Sequence, residues 1–371
     1  MKSSIRIVIV LFVASLLACP IFAQNNPGKI KFPANFDQLL TESQNYIREG
    51  LYHQAQNSLT QVYKLARTPQ ERMTAAFNLA EVEANLGDVS RAYDYYNQSL
   101  QLALETGDKK LADFCQKSME IINLYNEAKK LRQENHSEEA IAIFNKTISY
   151  CDEIKNDILK CKALRQQSYA YLTLNKLNEF LKNNLKANEI AKKLNNMAEV
   201  VMTFNNIGHY YSLIDNINLA IENFDNAVLL SNREDLPPDV IFVSYYNVGV
   251  MRIDIGQYDK AIEYLSTAMR LISADKSDQN YTACLINLGY AYVKRALTAG
   301  NSEDYGRALE YFNQALAAAE QVGNESFQVA VLNNIGSLKA HLEENLDALY
   351  YLNKARNLAE KIKLNNYLVS I

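Results

Sequence analysis

Apolar residues recur along this chain at the i, i+3, i+4, i+7 spacing of a helix that buries one face. The spacing is organised in blocks, and four of the blocks superimpose. Their first segments are Thr203-Phe204-Asn205-Asn206-Ile207-Gly208, Tyr245-Tyr246-Asn247-Val248-Gly249, Leu285-Ile286-Asn287-Leu288-Gly289 and Leu332-Asn333-Asn334-Ile335-Gly336. Each is followed by a second segment, running from Leu219 to Ala227, Lys260 to Ala268, Arg307 to Ala315 and Asp347 to Ala355. These share an alanine in second place (Ala220, Ala261, Ala308, Ala348), a large apolar residue in sixth place (Phe224, Leu265, Phe312, Leu352) and an alanine last. A small residue on one helix lets the next approach closely, so each block predicts two helices packed as a hairpin. One hairpin cannot bury its apolar face alone, and neighbours must stack.

These residues resemble the tetratricopeptide repeat, with its small residue at position 8 of helix A and Ala, a large apolar residue and Ala at positions 20, 24 and 27 of helix B. The resemblance implies an all-α fold, a right-handed superhelical solenoid of antiparallel helix pairs with helix A on the concave side. Position 20 falls at Ala55, Ala92, Ala140, Phe180, Ala220, Ala261, Ala308 and Ala348, which gives eight repeats over residues 36–362. The first, third and fourth are degenerate, the fourth most clearly, with Phe180 and Asn184 at positions 20 and 24. Most steps are close to forty residues, as in the longer-repeat subclass that includes kinesin light chains and certain bacterial regulators. Two steps are longer. The surplus before Ala308 is expected as a loop over 298–304, which is rich in Gly, Ser, Asn and Asp, and the surplus near 109–120 as a helix extension. Leu236-Pro237-Pro238 is expected to end one helix, with Asp239 as N-cap of the next.

The two ends read differently. Lys2 and Arg6, the apolar run Ile7 to Ala18 and the small-residue site Ile21-Phe22-Ala23 have the order of a secretory signal peptide over 1–23, so the chain is expected to be exported to the periplasm or the extracellular space. A rival reading lipidates Cys19; the bulky Leu17 and Pro20 oppose it. A short linker follows over 24–35. Residues 363–371 resemble the start of an incomplete further helix, which would leave an apolar C-terminal face suited to a homodimer.

Charge and composition narrow the function. Removing Lys2 and Arg6 leaves 36 basic against 42 acidic residues, a net charge of −6, which disfavours nucleic acid as a partner. No segment after the signal is apolar enough for a transmembrane helix. Cys115, Cys151, Cys161 and Cys284 form no CxxC pair, and Cys151 and Cys161 flank one turn. The histidines His53, His136, His209 and His341 are scattered without metal-ligand spacing, and no nucleophile elbow or phosphate-binding glycine loop occurs. No enzyme activity, cofactor or metal is expected.

What remains is a binding surface. The resemblance places positions 2, 5, 6, 9, 12 and 13 of helix A on the concave face. Position 6 reads Asn78, Asn126, Gln166, Asn206, Asn247, Asn287 and Asn334 in repeats two to eight, with Thr41 in the first. A carboxamide carries both an acceptor and a donor, so such a ladder can grip the main chain of an extended peptide, or bond to the neighbouring repeat and set the stacking. Beside it the same geometry places Tyr125, Arg165, Tyr169, Asn205, His209, Tyr246, Tyr290 and Asn333, of which the tyrosines and the arginine are typical interface anchors. Lys129, Arg132 and Arg165 add a modest basic cluster. The expected role is a non-catalytic scaffold binding a peptide or protein partner in the groove. The alternative is the sensory part of a membrane-anchored transcription regulator or histidine kinase.

Overall fold

A computed structural model describes residues 34–232, 236–272 and 279–363. The expected signal peptide, the Cys19 alternative, most of the 24–35 linker and residues 364–371 lie outside the described residues. Among the described residues there are sixteen α-helices and no strands. In chain order the hairpins are α1 (Ala34–Glu49) with α2 (Tyr52–Leu65), α3 (Pro69–Leu86) with α4 (Val89–Thr106), α5 (Lys109–Gln133) with α6 (Ser137–Ile154), and α7 (Asp157–Thr173) with α8 (Leu177–Lys193). They continue as α9 (Met197–Leu213) with α10 (Ile217–Ser231), α11 (Pro238–Asp254) with α12 (Tyr258–Ile272), α13 (Gln279–Ala299) with α14 (Glu303–Gln321), and α15 (Glu325–His341) with α16 (Asn345–Lys361). The eight antiparallel pairs stack as a right-handed superhelical solenoid.

The helices end where local chemistry dictates. Many close on a residue in the left-handed region followed at once by the N-cap of the next helix. Asn195 (φ 53°) precedes Asn196, whose side chain accepts from the Glu199 N–H, and Gly87 (φ 100°) precedes Asp88, which accepts from Arg91. The αL residue redirects the chain, and the cap satisfies an orphan N–H of the new helix. Thr68 and Glu71 form a reciprocal capping box at the start of α3.

Close approach within each hairpin follows from the glycines at position 8. A Cβ on Gly289 would lie 2.6 Å from the Phe312 ring, and one on Gly208 would lie 2.8 Å from the Phe224 ring. The position 24 side chain thus rests directly on the backbone of helix A, and Phe224, Leu265 and Phe312 are buried. Between hairpins the core is continuous. Leu285 and Phe312 share one cluster with Val331 and Ile335 of the next repeat. The fourth repeat, which lacks the apolar position 24, buries amides instead. Asn184 accepts from Asn206 Nδ2 at 2.8 Å, Asn183 donates to Gln167 at 2.7 Å, and Asn188 donates to Thr203 at 2.7 Å.

Three local expectations resolve in particular ways. The surplus near 109–120 is a helix extension, and α5 runs for 25 residues. The surplus over 298–304 holds the expected loop, but only Gly300, Asn301 and Ser302 lie outside helix. α13 continues to Ala299 and α14 begins at Glu303, held by Arg295 donating to both carboxylate oxygens of the buried Asp304. Asp239 is not the N-cap of α11, which is Pro237, with Pro238 at the first helical position where its missing N–H costs nothing.

One contact set is not between neighbours. Tyr52 Oη donates to the Leu194 carbonyl at 2.7 Å, Asn195 Nδ2 donates to the Arg48 carbonyl at 2.9 Å, and Asn196 Nδ2 reaches Asn85 O and Oδ1 at 3.2 and 3.1 Å. Together with packing of α3 on α7, these bonds close the first five hairpins on themselves. The α1–α2 turn sits on the α8–α9 turn.

Candidate functional site

The inner side of the curve is visible in the packing. Successive A helices touch one another, as in α9 with α11, α11 with α13 and α13 with α15, whereas successive B helices are further apart. The A side is therefore the shorter, concave side. Its carboxamides do not all face the groove in the same way.

In the middle of the array the amides are engaged with neighbouring repeats. Asn205 and Asn206 are buried. Asn206 donates to Asn184 and accepts from Tyr169 Oη at 2.8 Å, and Asn205 donates to Ser244 and accepts from Asn247 Nδ2 at 3.0 Å. Asn287 Nδ2 donates to Tyr246 Oη at 3.0 Å and to the Ala283 carbonyl. Asn78 is half-buried and donates to the Thr74 carbonyl of its own helix. Asn126 is exposed, and Asn333 and Asn334 are partly exposed. Asn333 Oδ1 is buried without a hydrogen-bond partner. His209 keeps part of its surface open, with its ring edge-on to Phe180 at 6.4 Å, and partial desolvation of the imidazole lowers its pKa.

The closed N-terminal turn holds charge. Glu199 receives Lys162 Nζ at 2.9 Å, Arg165 Nε at 2.6 Å and Arg165 Nη2 at 3.2 Å, with all three side chains largely buried. Burial works to raise the Glu199 carboxyl, and Arg165 and Lys162 overcome it, holding the group well below the usual carboxylate range. Arg165 is therefore committed to an internal ion pair. Arg132 lies over the Tyr169 ring at 5.6 Å. Glu81, on the same inner side of α3, accepts from Tyr96 Oη, and burial pushes it up to about 7.

The C-terminal wall is different. Tyr246 and Asn247 are half-buried, Tyr290 is 39% exposed, and Lys294 Nζ rests 5.1 Å over the Tyr290 ring. Burial, then the nearby Cys284, pushes the Tyr246 phenol up to about 12, so it stays neutral and accepts from Asn287. Within the described residues no group of three or more His, Cys, Asp or Glu is placed to hold a metal, and no helix is long and apolar enough to cross a membrane. Cys115, Cys151, Cys161 and Cys284 are buried free thiols.

Family models for the tetratricopeptide repeat match residues 40–103, 243–275 and 289–322. The chain carries tetratricopeptide repeats. A tetratricopeptide repeat-containing protein of Methanocaldococcus jannaschii is 22% identical over 270 residues, a stretch that covers 73% of this chain and 44% of that relative, so the chain spans less than half of the relative's length. Among solved structures, the signal transduction ATPase with a tetratricopeptide repeat sensor from Pyrococcus horikoshii superimposes with a TM-score of 0.54 at 13% identity, over 89% of this chain and 49% of that one. The apo form of RapI gives 0.50 at 15% identity, over 66% and 99%. At these identities the likeness is one of fold.

Within the tetratricopeptide array, the structure joins Tyr169 to Asn206 in one hydrogen-bonded set, Asn205 to Asn247 in a second and Tyr246 to Asn287 in a third. Sequence reasoning passed over Lys162, Glu199 and Glu81, and read Asn184 only as a degenerate position 24. Two of them had a signal. Lys162 is a cation at position 2 of its helix, and Asn184 is an amide where every other repeat has a large apolar side chain.

Proposed function

We propose that this protein is a non-catalytic interaction scaffold that holds a polypeptide segment of a partner against the concave face of its C-terminal repeats. The observation that carries this reading is the wall around Tyr246, Asn287, Tyr290 and Asn334. It lies on the inner side of the curve, keeps tyrosine and amide groups partly exposed, and is clear of the closure over repeats one to five. Tyrosines give large contact area at low entropic cost, and amides supply both hydrogen-bonding senses that a main chain needs. The engaged amides Asn205 and Asn206 hold the stack that shapes this wall, and the open ones are assigned to the ligand.

Site-specific photocrosslinking tests the assignment. A benzophenone side chain at Tyr290 should give covalent adducts with a polypeptide in extracts of the source cells, and the same group at Leu229 should not. Leu229 is 69% exposed on a B helix, away from the groove. Equal labelling from both positions would count against a groove site.

A further inference from the structure

The outer layer of the solenoid changes character at its last helix. Positions 18 and 22 of helix B face solvent in every repeat, and neighbouring hairpins do not cover them. In repeats five to seven they are Asn218 and Glu222, Asp259 and Glu263, and Gly306 and Glu310, and none of the first seven repeats has a large apolar side chain at either position. In the eighth they are Leu346 and Tyr350, 86% and 62% exposed. Leu349 lies on the same face of α16 and is 58% exposed. A further hairpin would not account for this patch. Ile221, Ile262 and Leu309, the counterparts of Leu349, pack against the hairpin that follows each of them, yet the counterparts of Leu346 and Tyr350 stay in water even there.

Three carboxylates border the patch. Glu343 and Glu344 stand in the turn before α16 and Asp347 in its first turn, and all three are exposed. Among the described residues Lys339 is the cation set against them, 2.5 Å from Glu344 and 3.9 Å from Asp347. Lys354, one turn beyond Tyr350, is instead 3.9 Å from Glu320 of α14. The border therefore carries an excess of negative charge.

Apolar side chains left in water at i, i+3 and i+4 are stabilised by being covered. The α16 backbone is hydrogen-bonded within its own helix, so side chains and not main-chain pairing must hold whatever covers it, which suits a second helix laid along the first. Charge decides which helix. A second copy of this chain would bring the same carboxylates together, and an anionic lipid surface would be repelled in the same way.

We propose that the outer face of α16 docks a basic amphipathic helix of another protein, with the partner's apolar stripe on Leu346, Leu349 and Tyr350 and its flanking Lys or Arg side chains against Glu343, Glu344 and Asp347. This surface lies on a B helix, apart from the groove on the A side.

The test is a yeast-displayed library of helical peptides with a fixed leucine stripe and flanking positions drawn from Lys, Glu, Gln and Ser, sorted against the purified chain. Selected peptides are then measured by fluorescence anisotropy on the wild type, on Leu346→Asn/Tyr350→Glu, which installs the residues of repeat five, and on Glu343→Gln/Asp347→Gln. All four side chains are exposed, so both variants should keep the wild-type circular dichroism. The expected peptides carry Lys at their flanks. Their affinity should fall about tenfold or more in the first variant and about threefold or more in the second. Acidic or neutral flanks, peptides indifferent to Leu346→Asn/Tyr350→Glu, or no enrichment at all would each overturn the proposal. So would a dimer in sedimentation of the chain alone, or flotation with phosphatidylglycerol vesicles, if either is lost in that variant, because the occupant would then be a second copy or a lipid surface.

Discussion

Replacing Gly289 by alanine should destabilise the seventh repeat, although alanine is the better helix former. Alanine in a helix interior is favoured over glycine by about 1 kcal/mol. Against that, the new Cβ would stand 2.6 and 2.7 Å from two carbons of the Phe312 ring and 3.1 Å from a third. Ordinary carbon contacts lie at about 3.5–4.0 Å, so the ring or the hairpin must move by nearly an ångström. Phe312 is 1% exposed and has little room to yield. Overpacking of this kind costs about 1–3 kcal/mol, which leaves a net loss of up to roughly 2 kcal/mol. Gly306 supplies the control, because it lies in the facing helix α14 and a Cβ there meets nothing within 4 Å. Gly306→Ala should therefore stabilise, by about 0.5–1 kcal/mol. Hydrogen exchange of α13 and α14 amides, read by mass spectrometry in increasing urea, reports the local stability without requiring the whole solenoid to unfold in one step. Adding Phe312→Leu to Gly289→Ala should recover part of the loss through relief of the clash. If Gly289→Ala stabilises as much as Gly306→Ala, the close-approach argument for the repeat glycines is wrong.

Four further outcomes follow from the charged interior and the closure. Glu199→Gln leaves Lys162 and Arg165 buried without a counter-charge and should cost about 3–5 kcal/mol in urea titrations near neutral pH. Glu199 also sets an acid limit: its folded pKa is depressed, so its contribution is present above the ordinary carboxylate value and is lost as pH falls, and the variant should lack that dependence. Glu81 works in the opposite direction. Its folded pKa is raised from 4.5 to about 7, so the stability it contributes is complete below the ordinary value and is lost as pH rises through about 7; urea midpoints at pH 5 and pH 8 should converge in Glu81→Gln. An added Cβ at Gly50, whose φ is 75°, would run into the Asn195 carbonyl. Gly50→Ala should speed amide exchange around 194–198 and leave α15 unchanged, and unaltered exchange at 194–198 would refute the closure.

The hairpins were legible because their signal is local and repeated. Gly208, Gly249, Gly289 and Gly336 each announce a close partner, and each finds it at position 24 of the same repeat. Composition placed the turn within 298–304 at Gly300, Asn301 and Ser302 but made it too wide, because Arg295 and Asp304 tie α13 to α14 on either side of it. The row of asparagines was visible, but a carboxamide reads the same whether it meets a ligand or a neighbour. Only the positions of Asn184 and Ser244 show where Asn206 and Asn205 are engaged. The closure had no sequence signal at all, since Tyr52 and Leu194 are far apart in the chain and neither belongs to the repeat pattern.

That closure alters how the molecule comes apart and how it can change over generations. In a chain of hairpins joined only to their neighbours, stability is nearly a sum of adjacent terms, and any end can fray independently. Here the bonds from Arg48, Tyr52 and Asn85 to residues 194–196 make the first five hairpins share one fate. The last three keep the freedom of an open chain. Unfolding should accordingly proceed in two cooperative blocks, the C-terminal one first. The same division bears on tolerance to repeat gain and loss. A hairpin inserted or deleted between the second and the fourth shifts the two turns out of register and breaks the ring, whereas one added or removed after the fifth merely lengthens or shortens the groove.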